Sequence, residues 1–306
     1  VAILPRGGGT SQCGQTVGEA LVIDNSVFLR ELIEVDQQNC TAIVEPGIVL
    51  DQLNGVLAGQ GLMFPVDVST ASRATIGGMT GNNSCGARSI RYGTMRDNVL
   101  GIDAIRADGS RQYFGRINDS TLSPSMMQAL TQLGVSYREE INSRFPKVQR
   151  RVGGYNIDAL VNADQSQLNL SHLLVGSEGT LAYSERIHLK LSPVPKHKTL
   201  GVCHFPSFYA AMDASQHLVT LVPSAVELVD RTMIELSREI PLFRPVIDRC
   251  VRGEPDAILL VEFSGESHDE QLLALSRLHE LMADLGFADS VVDAIDPRSE
   301  EHTSEL

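Results

Sequence analysis

The chain has 306 residues, 42% of them hydrophobic, which is enough material for two packed domains. Its formal net charge of −13 argues against a nucleic-acid binder, since such a protein carries a basic face. No apolar run approaches the roughly 20 residues of a transmembrane helix, and five dispersed cysteines offer no metal-ligand spacing, which argues against a membrane-spanning segment and a zinc or iron–sulfur site.

Short strands alternate with glycine-rich loops in the first two thirds of the chain. The segments "VAILP", "EALVID" and "TAIVEPG" are rich in Val and Ile and bounded by Gly, Pro or Asn, a pattern typical of strands. In "VLDQLNGVLAGQG" four apolar residues recur at helical spacing, so the pattern predicts a helix that Gly61 closes. These residues are Val49, Leu53, Val56 and Leu57.

Turn and capping residues predict two further elements. The segment "NVLGIDAIRADGSRQYFG" predicts a β-hairpin that turns at Asp108 and Gly109. Ser123 followed by Pro124 predicts the start of a helix. Apolar residues at helical spacing extend this helix, although Gly134 weakens the prediction; they are Met126, Leu130, Leu133, Tyr137 and Ile141.

The pattern changes near Pro195. Before it, the strand-like run "HLLVGSEGTLAYSERIHLKLSP" places His172 in an apolar strand, and "PVPKHK" resembles a linker. After it, the order strand, helix, strand, helix, strand predicts an α+β unit in which helices cover an antiparallel sheet. Glu227 and Asp230 stand at helical spacing there, and a solvated first turn explains them better than acid–base chemistry.

We therefore expect an α+β protein of two domains, residues 1–195 and residues 196–297. The last stretch, residues 298–306 ("RSEEHTSEL"), is polar and unrelated to the preceding pattern, and it resembles a translated sequencing-library adapter. We expect this tail to be non-native; the alternative is an ordinary disordered polar tail. On this interpretation the chain is a fragment, truncated before residue 1 and after residue 297.

The segment "LPRGGGTSQCG" is typical of a loop that holds an anion with bare backbone. The P-loop motif is excluded because no Gly-Lys pair is followed by a hydroxyl residue. The Rossmann fingerprint is excluded because no glycine stands three positions after Gly9. Two further glycine-rich stretches, "RATIGGMTGNNSCGARSIRYG" and "GSEGT", each adjoin an apolar run. One such loop alone is most often a structural turn, but three in one domain favour a long nucleotide such as FAD.

These stretches carry a resemblance to a known family. "PRGGGTS", "EPG", "FPVDVST", "ATIGG" with "NNSCGARSIRYG", and "VGSEGTLA" follow one another as in FAD-binding PCMH-type proteins of the vanillyl-alcohol-oxidase class. "GGYNIDAL", "AVELVD" and "LLVEFSG" are similar to the branch that contains D-lactate and D-2-hydroxyglutarate dehydrogenases. The resemblance implies a two-subdomain FAD-binding domain followed by a smaller α+β substrate (cap) domain.

The resemblance also implies which residues hold the cofactor. The amides of residues 7–11 would surround the FAD pyrophosphate, and the second and third glycine stretches would contact the rest of the molecule. The residues are Arg6, Gly7, Gly8, Gly9, Thr10, Ser11, Pro65, Ser72, Thr75, Gly77, Gly78, Asn83, Ser84, Gly86, Glu178 and Gly179. Relatives with covalent flavin carry a histidine where this chain has Thr10, so we expect FAD to be bound non-covalently.

The activity implied is oxidation of a D-2-hydroxy acid, with hydride passing from the substrate Cα to flavin N5. The electrons would go on to a quinone, a cytochrome or an electron-transfer flavoprotein, in the cytoplasm or at most peripherally on a membrane. Family members supply catalytic residues from a later "HGDGNLH"-like stretch that also holds a metal, and this chain has no counterpart of it. Catalytic residues, and any metal or iron–sulfur cluster, are therefore expected only beyond the visible chain.

Two other functions stay open at this stage. A sugar or lactone oxidase has the same fold, and a non-catalytic nucleotide-binding module would also use glycine loops. For the remaining candidates the structural interpretation is at least as good: Arg88 and Arg91 as surface ion pairs, Cys85 as a small packed residue, and His204 as a hydrogen-bonded core histidine.

Overall fold

The structure is a computed structural model that describes residues 1–161 and 165–294. It divides into two compact units, the first ending at Val194 and the second beginning at Pro195. The predicted α+β class is confirmed, and the sheet of the second unit is antiparallel as expected. The segment expected to be a non-native tail, residues 298–306, lies outside the described residues. Within those residues, every helix is too short or too polar to cross a membrane.

The first unit contains nine strands and seven α-helices within its described residues. In chain order they are β1 (Ile3–Arg6), β2 (Leu21–Asp24), β3 (Leu32–Asp36), β4 (Thr41–Val44), α1 (Leu50–Ala58), β5 (Leu62–Met63), α2 (Ile76–Asn82), α3 (Ser89–Tyr92), α4 (Met95–Asn98), β6 (Val99–Ile105), β7 (Arg111–Phe114), α5 (Pro124–Ser136), α6 (Arg138–Arg144), α7 (Ser171–Leu174), β8 (Tyr183–Lys190) and β9 (Ser192–Pro193). Two 3₁₀ turns, Ile157–Leu160 and Gln165–Gln167, precede α7.

A five-stranded antiparallel sheet, in the order β3-β4-β8-β6-β7, forms the centre of the first unit. The predicted hairpin is confirmed as β6 and β7, with Gly109 at φ +81° in the turn. The buried side of the sheet packs with α1 and α2 through residues such as Val44, Leu53 and Ile76. Strands β1 and β2 form a separate parallel pair, and the segment between them carries the first glycine-rich stretch.

Helix α1 is close to its predicted position, but its buried face differs. Leu50, Leu53 and Leu57 are buried, whereas Val56 is 56% exposed, so placing Val56 on the core face was wrong. The α-helix ends at Ala58, three residues before Gly61.

Ser123 caps α5 as predicted, accepting a hydrogen bond from the Met126 amide at 3.3 Å. The continuous helix predicted beyond it is wrong, since α5 ends at Ser136 and α6 begins at Arg138. Gly134, which weakened the prediction, is the buried residue of α5. A β-carbon there would lie 2.3 Å from the Leu160 carbonyl oxygen, so the close packing at this position requires glycine.

The run "HLLVGSEGTLAYSERIHLKLSP" is not a single strand. Its first residues form the short helix α7, and only the part from Tyr183 is the strand β8. His172 therefore lies on a helix directly before the third glycine-rich stretch, and its placement in a strand was wrong.

The second unit contains β10 (His197–Phe205), α8 (Phe208–Leu218), β11 (Ala225–Asp230), α9 (Arg231–Glu239), α10 (Arg244–Cys250), β12 (Ala257–Gly265), α11 (His268–Asp284) and β13 (Val291–Ala294). Its sheet has the order β11-β12-β10-β13. Helices α8 and α11 cover one face, and α9 and α10 cover the other. The segment "AILLVEFSG" is apolar almost throughout because β12 is buried on both faces.

One expectation in this unit is corrected and one is confirmed. Glu227 and Asp230 belong to β11 and not to a helical turn, although Asp230 also caps α9 by accepting from the Met233 amide at 2.9 Å. His204 is a hydrogen-bonded core histidine, with Nδ1 2.8 Å from the Ser290 carbonyl oxygen and Nε2 accepting from the Arg252 amide at 3.0 Å.

Candidate functional site

The first glycine loop, residues 7–11, follows β1 directly and has open backbone donors. Gly9 has φ +66°, a conformation that favours glycine. The amides of residues 7–11 donate to no acceptor within the described residues; Gly8 and Gly9 are exposed, and the other three residues are partly exposed. Five successive amides without a protein acceptor form a site for the oxygens of an anion.

Close packing fixes where this loop lies. A β-carbon at Gly7 would come within 2.0 Å of Thr75 Oγ1, and one at Gly8 would come within 2.2 Å of the Arg73 carbonyl oxygen. These distances are too short for a side chain at either position. Both neighbours belong to the segment that leads into α2. The loop is therefore pressed against the start of the second glycine-rich stretch.

The second glycine loop, residues 77–86, has its donors occupied. The Gly77 amide donates to the Pro46 carbonyl at 2.7 Å and the Gly78 amide to Thr75 Oγ1 at 3.2 Å. The Gly86 amide donates to Ser89 Oγ at 3.0 Å. A β-carbon at Gly86 would lie 2.2 Å from the Asp67 carbonyl oxygen, so glycine serves close packing here.

The third glycine loop, residues 176–180, joins the other two. The Gly176 amide donates to the Thr80 carbonyl and the Glu178 amide to the Gly81 carbonyl, each at 2.9 Å. Asn82 Nδ2 donates to Glu178 Oε1 at 3.0 Å. A β-carbon at Gly179 would lie 3.1 Å from Pro5 Cγ, at the strand that leads into the first glycine loop. The three loops thus meet around α2.

The residues predicted to bind the cofactor fall into three groups by exposure. Exposed are Arg6, Gly8, Gly9, Ser72, Gly78 and Glu178; partly exposed are Gly7, Thr10, Ser11, Gly77, Ser84, Gly86 and Gly179; buried are Pro65, Thr75 and Asn83. The buried side chains contact protein and present no surface to a ligand. Their direct contact with the cofactor stays a prediction, and in this structure they support the loops.

Asn83 shows how such support works. It is 0% exposed and has left-handed backbone, with φ 56° and ψ 49°. Its side-chain Oδ1 accepts from the Arg96 amide at 3.0 Å. A ligand could reach this side chain only if the loop moved, so Asn83 fixes the turn that ends α2.

Sequence reasoning missed a group of charged and polar residues behind the loops. Arg96, Arg151 and Asp158 form ion pairs, and Asn156 and His172 lie with them. Burial raises the pKa of Asp158, but hydrogen bonds from Arg151 and Arg96 outweigh it and hold that pKa below the usual carboxyl range. Burial, together with the charge of Arg96, lowers the pKa of His172 to about 4, so this histidine is neutral at pH 7. The only available signal was "GGYNIDAL", whose Asn and Asp are unusual beside apolar residues.

The remaining candidates are placed by local contacts. The Arg88 amide donates to Asp67 Oδ1 at 3.1 Å, and the Arg91 guanidinium lies 5.4 Å from the Tyr92 ring centroid. Cys85 is a partly buried free cysteine. The described residues include no group of three or more His, Cys, Asp or Glu arranged to hold a metal ion.

Comparison with known families agrees with this geometry. Residues 1–115 match the family described as FAD binding domain, and residues 194–304 match FAD linked oxidases, C-terminal domain. All three elements that dock the first glycine loop, namely β1, the Arg73–Thr75 segment and α2, fall inside the first match.

Curated relatives match most of this chain but extend well beyond it. A D-2-hydroxyglutarate dehydrogenase of Haemophilus influenzae is 31% identical over 91% of this chain and 29% of its own length. One of Escherichia coli is 32% identical, with the same coverage. A D-lactate dehydrogenase of Archaeoglobus fulgidus is 32% identical over 88% of this chain and 50% of its own. The chain therefore spans between about a third and a half of the length of these relatives.

A solved structure shares the fold. An alkyldihydroxyacetonephosphate synthase aligns with a TM-score of 0.69 over 99% of this chain and 50% of its own, at 17% identity. This likeness concerns the fold alone.

Proposed function

We propose that the chain binds FAD non-covalently at the first glycine loop and serves a D-2-hydroxy acid dehydrogenase. The premise is that it matches an FAD binding domain, followed by the C-terminal domain of FAD linked oxidases. The substrate class follows from the relatives named for D-2-hydroxyglutarate and D-lactate. The whole protein's activity is part of this proposal.

The open amides of residues 7–11 carry the proposal. They are the donors that a pyrophosphate needs, and they lie where the other two glycine loops meet. In the second loop the amides of Gly77, Gly78 and Gly86 donate to protein acceptors, so these amides are not free to bind the cofactor. This loop therefore supports the first loop and offers only part of its surface to the cofactor. This arrangement fits a long dinucleotide, whose diphosphate is the anionic part.

Non-covalent attachment is supported by the content of the first glycine loop. Residues 7–11 include Thr10 and Ser11 and no histidine, so the loop has no imidazole to link to the flavin ring. Neither hydroxyl is activated by a base in the loop itself.

When bound, FAD supplies the hydride acceptor for oxidation of the hydroxy acid. In this proposal the amides of residues 7–11 bind the pyrophosphate, the glycines leave these amides uncovered by side chains, and the contacts around α2 fix the relative positions of the three loops. The group that clamps the substrate carboxylate and the base that takes the hydroxyl proton are not assigned to described residues.

The binding proposal is tested on the purified chain. We expect a yellow protein with flavin absorption whose colour passes entirely into the supernatant after acid precipitation, because the cofactor is not covalently linked. A flavin that stays with the precipitate contradicts the non-covalent assignment. A colourless protein that rejects FAD and is saturated by ATP or NAD overturns the proposal in favour of a different nucleotide-binding module.

Turnover is tested by anaerobic bleaching of the bound flavin. We expect D-2-hydroxyglutarate or D-lactate to bleach the whole protein, the L-enantiomers to leave it coloured, and this chain alone to react weakly or not at all. Bleaching of the whole protein by a sugar or an aldonolactone, but not by either hydroxy acid, would contradict the substrate class. The electron acceptor then follows from which of a quinone, a cytochrome or an electron-transfer flavoprotein restores the colour.

A further inference from the structure

A network of two arginines and one aspartate lies between the second and third glycine loops. Asp158 Oδ2 accepts from Arg96 Nη1 at 2.8 Å and also from Arg151 Nη2. All three side chains are about four-fifths buried, with 20 to 23% exposed. The Arg151 guanidinium also lies 4.5 Å from the Phe145 ring centroid, which fixes its plane.

The network reaches the second glycine loop through Arg96. The Arg96 amide donates to Asn83 Oδ1, the buried contact that holds the left-handed turn at the end of α2. Arg96 thus contacts the second glycine loop through its backbone amide and Asp158 through its side chain. A shift of the Arg96 side chain is expected to move the backbone amide on which Asn83 depends.

It reaches the third glycine loop through the residues next to Asp158. Arg96 Nη1 donates to Asn156 Oδ1 at 3.4 Å, and Asn156 Nδ2 donates to the Val175 carbonyl at 2.8 Å. The neighbouring Tyr155 hydroxyl lies 2.7 Å from Thr180 Oγ1. Both ends of the third glycine loop are therefore tied to the segment that carries Asp158.

We infer that Asp158 and Arg96 are positioning residues for the cofactor, which hold the second and third glycine loops at the separation that bound FAD requires. Neither residue is placed against the ligand, and each acts through Asn83, Asn156 and the loop backbone. The inference rests on the proposed FAD site, because it assigns these residues a role only toward a ligand bound there.

Unpaired polar atoms in the network indicate that it serves a specific geometry more than the stability of the fold. Asp158 Oδ1 and Asn83 Nδ2 are buried without a protein partner, and buried polar atoms are normally paired. Two guanidiniums share one carboxylate, and the nearby His172 is neutral, so the geometry of Asp158 depends on both arginines. Asp97 is the other charged group that faces His172 together with Arg96 and Asp158.

The test compares this network with an exposed ion pair of the same unit. Asp158→Asn and Arg96→Met remove its two sides. Arg111→Met and Glu185→Gln remove the surface pair between β7 and β8, in which Arg111 Nε lies 3.1 Å from Glu185 Oε2. FAD dissociation constants are measured by quenching of flavin fluorescence, unfolding of the FAD-free chain by circular dichroism, and flavin geometry by the visible circular dichroism of the bound cofactor.

We expect Asp158→Asn and Arg96→Met to raise the FAD dissociation constant about tenfold or more and to alter the visible dichroism. The surface variants should change it by less than about twofold. Arg96→Lys, which keeps a cation but not the second contact, should recover part of the affinity. If either network variant fails to fold, Tyr155→Phe, which removes one hydroxyl at the surface, should still weaken FAD binding by a few fold while leaving unfolding unchanged.

Two results overturn the inference. One is FAD binding and visible dichroism in Asp158→Asn and Arg96→Met equal to those of the unaltered chain. The other is a loss of affinity that only follows a lower unfolding midpoint, with the dichroism of bound FAD unchanged. A chain that binds no FAD before any substitution contradicts the proposed function itself, so the two failures are distinguishable.

Discussion

The first and second glycine loops contain glycine for different physical reasons. In the first, the amides of residues 7–11 are open, and the missing side chains at Gly7 and Gly8 let the loop dock on the Arg73–Thr75 segment. In the second, the amides of Gly77, Gly78 and Gly86 are bound to protein acceptors. The first loop is thus built to receive an anion and the second to support it.

Because of this difference, glycine substitutions in the two loops should affect two separate quantities, the affinity for the ligand and the stability of the fold. The first loop belongs to a two-stranded β1–β2 pair outside the central sheet, so distorting it should affect ligand binding more than folding. The second loop lies on α2, whose Ile76 and Met79 belong to the core, so distorting it should affect folding first. Substitutions at matched glycines therefore test whether the two loops differ in this way.

The largest expected effect is that of Gly8→Ala. The added β-carbon would lie 2.2 Å from the Arg73 carbonyl oxygen, so the loop must move away from α2. We expect FAD affinity to fall about 100-fold, which is about 2.7 kcal/mol, because the displaced amides no longer meet the pyrophosphate. Titration with FAD measures it, and the unfolding free energy of the FAD-free chain should change by less than about 0.5 kcal/mol.

Gly18→Ala is the control for this substitution. It lies in the same segment between β1 and β2, and its β-carbon would meet only Leu4 Cδ2, at 4.0 Å. Affinity should stay that of the unaltered chain. A Gly8→Ala chain that binds FAD normally would show that the loop's docking on Arg73 is irrelevant to the cofactor.

The next effect is that of Gly86→Ala, and it should appear in folding. Its β-carbon would lie 2.2 Å from the Asp67 carbonyl oxygen and 2.4 Å from Asp67 Oδ1. Overpacking of this kind costs about 1–3 kcal/mol, so we expect about 2 kcal/mol less unfolding free energy without FAD. Denaturant unfolding followed by circular dichroism measures it.

Gly81→Ala provides the matched control within α2. Its β-carbon would make only an ordinary contact with Glu178 Cα, at 3.7 Å, so stability should be unchanged or rise by about 0.5 kcal/mol as the helix gains alanine. Equal losses in Gly81→Ala and Gly86→Ala would show that the close contact with Asp67 is not what makes Gly86→Ala destabilising.

The sequence predicted those parts of the molecule that depend on local pattern. The hairpin at Gly109, the cap at Ser123 and the antiparallel sheet of the second unit are confirmed because short-range turn, cap and burial signals decide them. Val56 was misplaced because α1 buries Leu50, Leu53 and Leu57, and this face leaves Val56 exposed. The division of labour between the glycine loops was invisible, since it depends on which amides find acceptors far away in the chain.

The support behind the loops could not be predicted for the same reason. Asp158 pairs with Arg96 across 62 residues, and Asn156 reaches Val175 across 19. Nothing in the local pattern of "GGYNIDAL" indicates these partners. His172 is a related case, because its apolar neighbours suggested a strand while its actual environment is a helix close to two opposite charges, Arg96 and Asp158.

The smallest of the three expected effects is the pH dependence of stability caused by His172, which lies on α7 directly before the third glycine loop. Its pKa is lowered to about 4 from 6.5 by burial and by Arg96, so the folded chain keeps it neutral where the unfolded chain takes up a proton. Stability is then fully present above pH 6.5 and is lost as the pH falls toward 4. Between pH 7.5 and 5.5 this group should remove about 1 kcal/mol of unfolding free energy.

Denaturant unfolding of the FAD-free chain at both pH values measures this loss. His172→Gln carries no ionisable ring, so its loss between the two pH values should be smaller by that amount than in the unaltered chain. Equal pH dependence in the unaltered chain and His172→Gln would mean that the histidine is solvated, and that the helix preceding the third glycine loop is less tightly packed than α2.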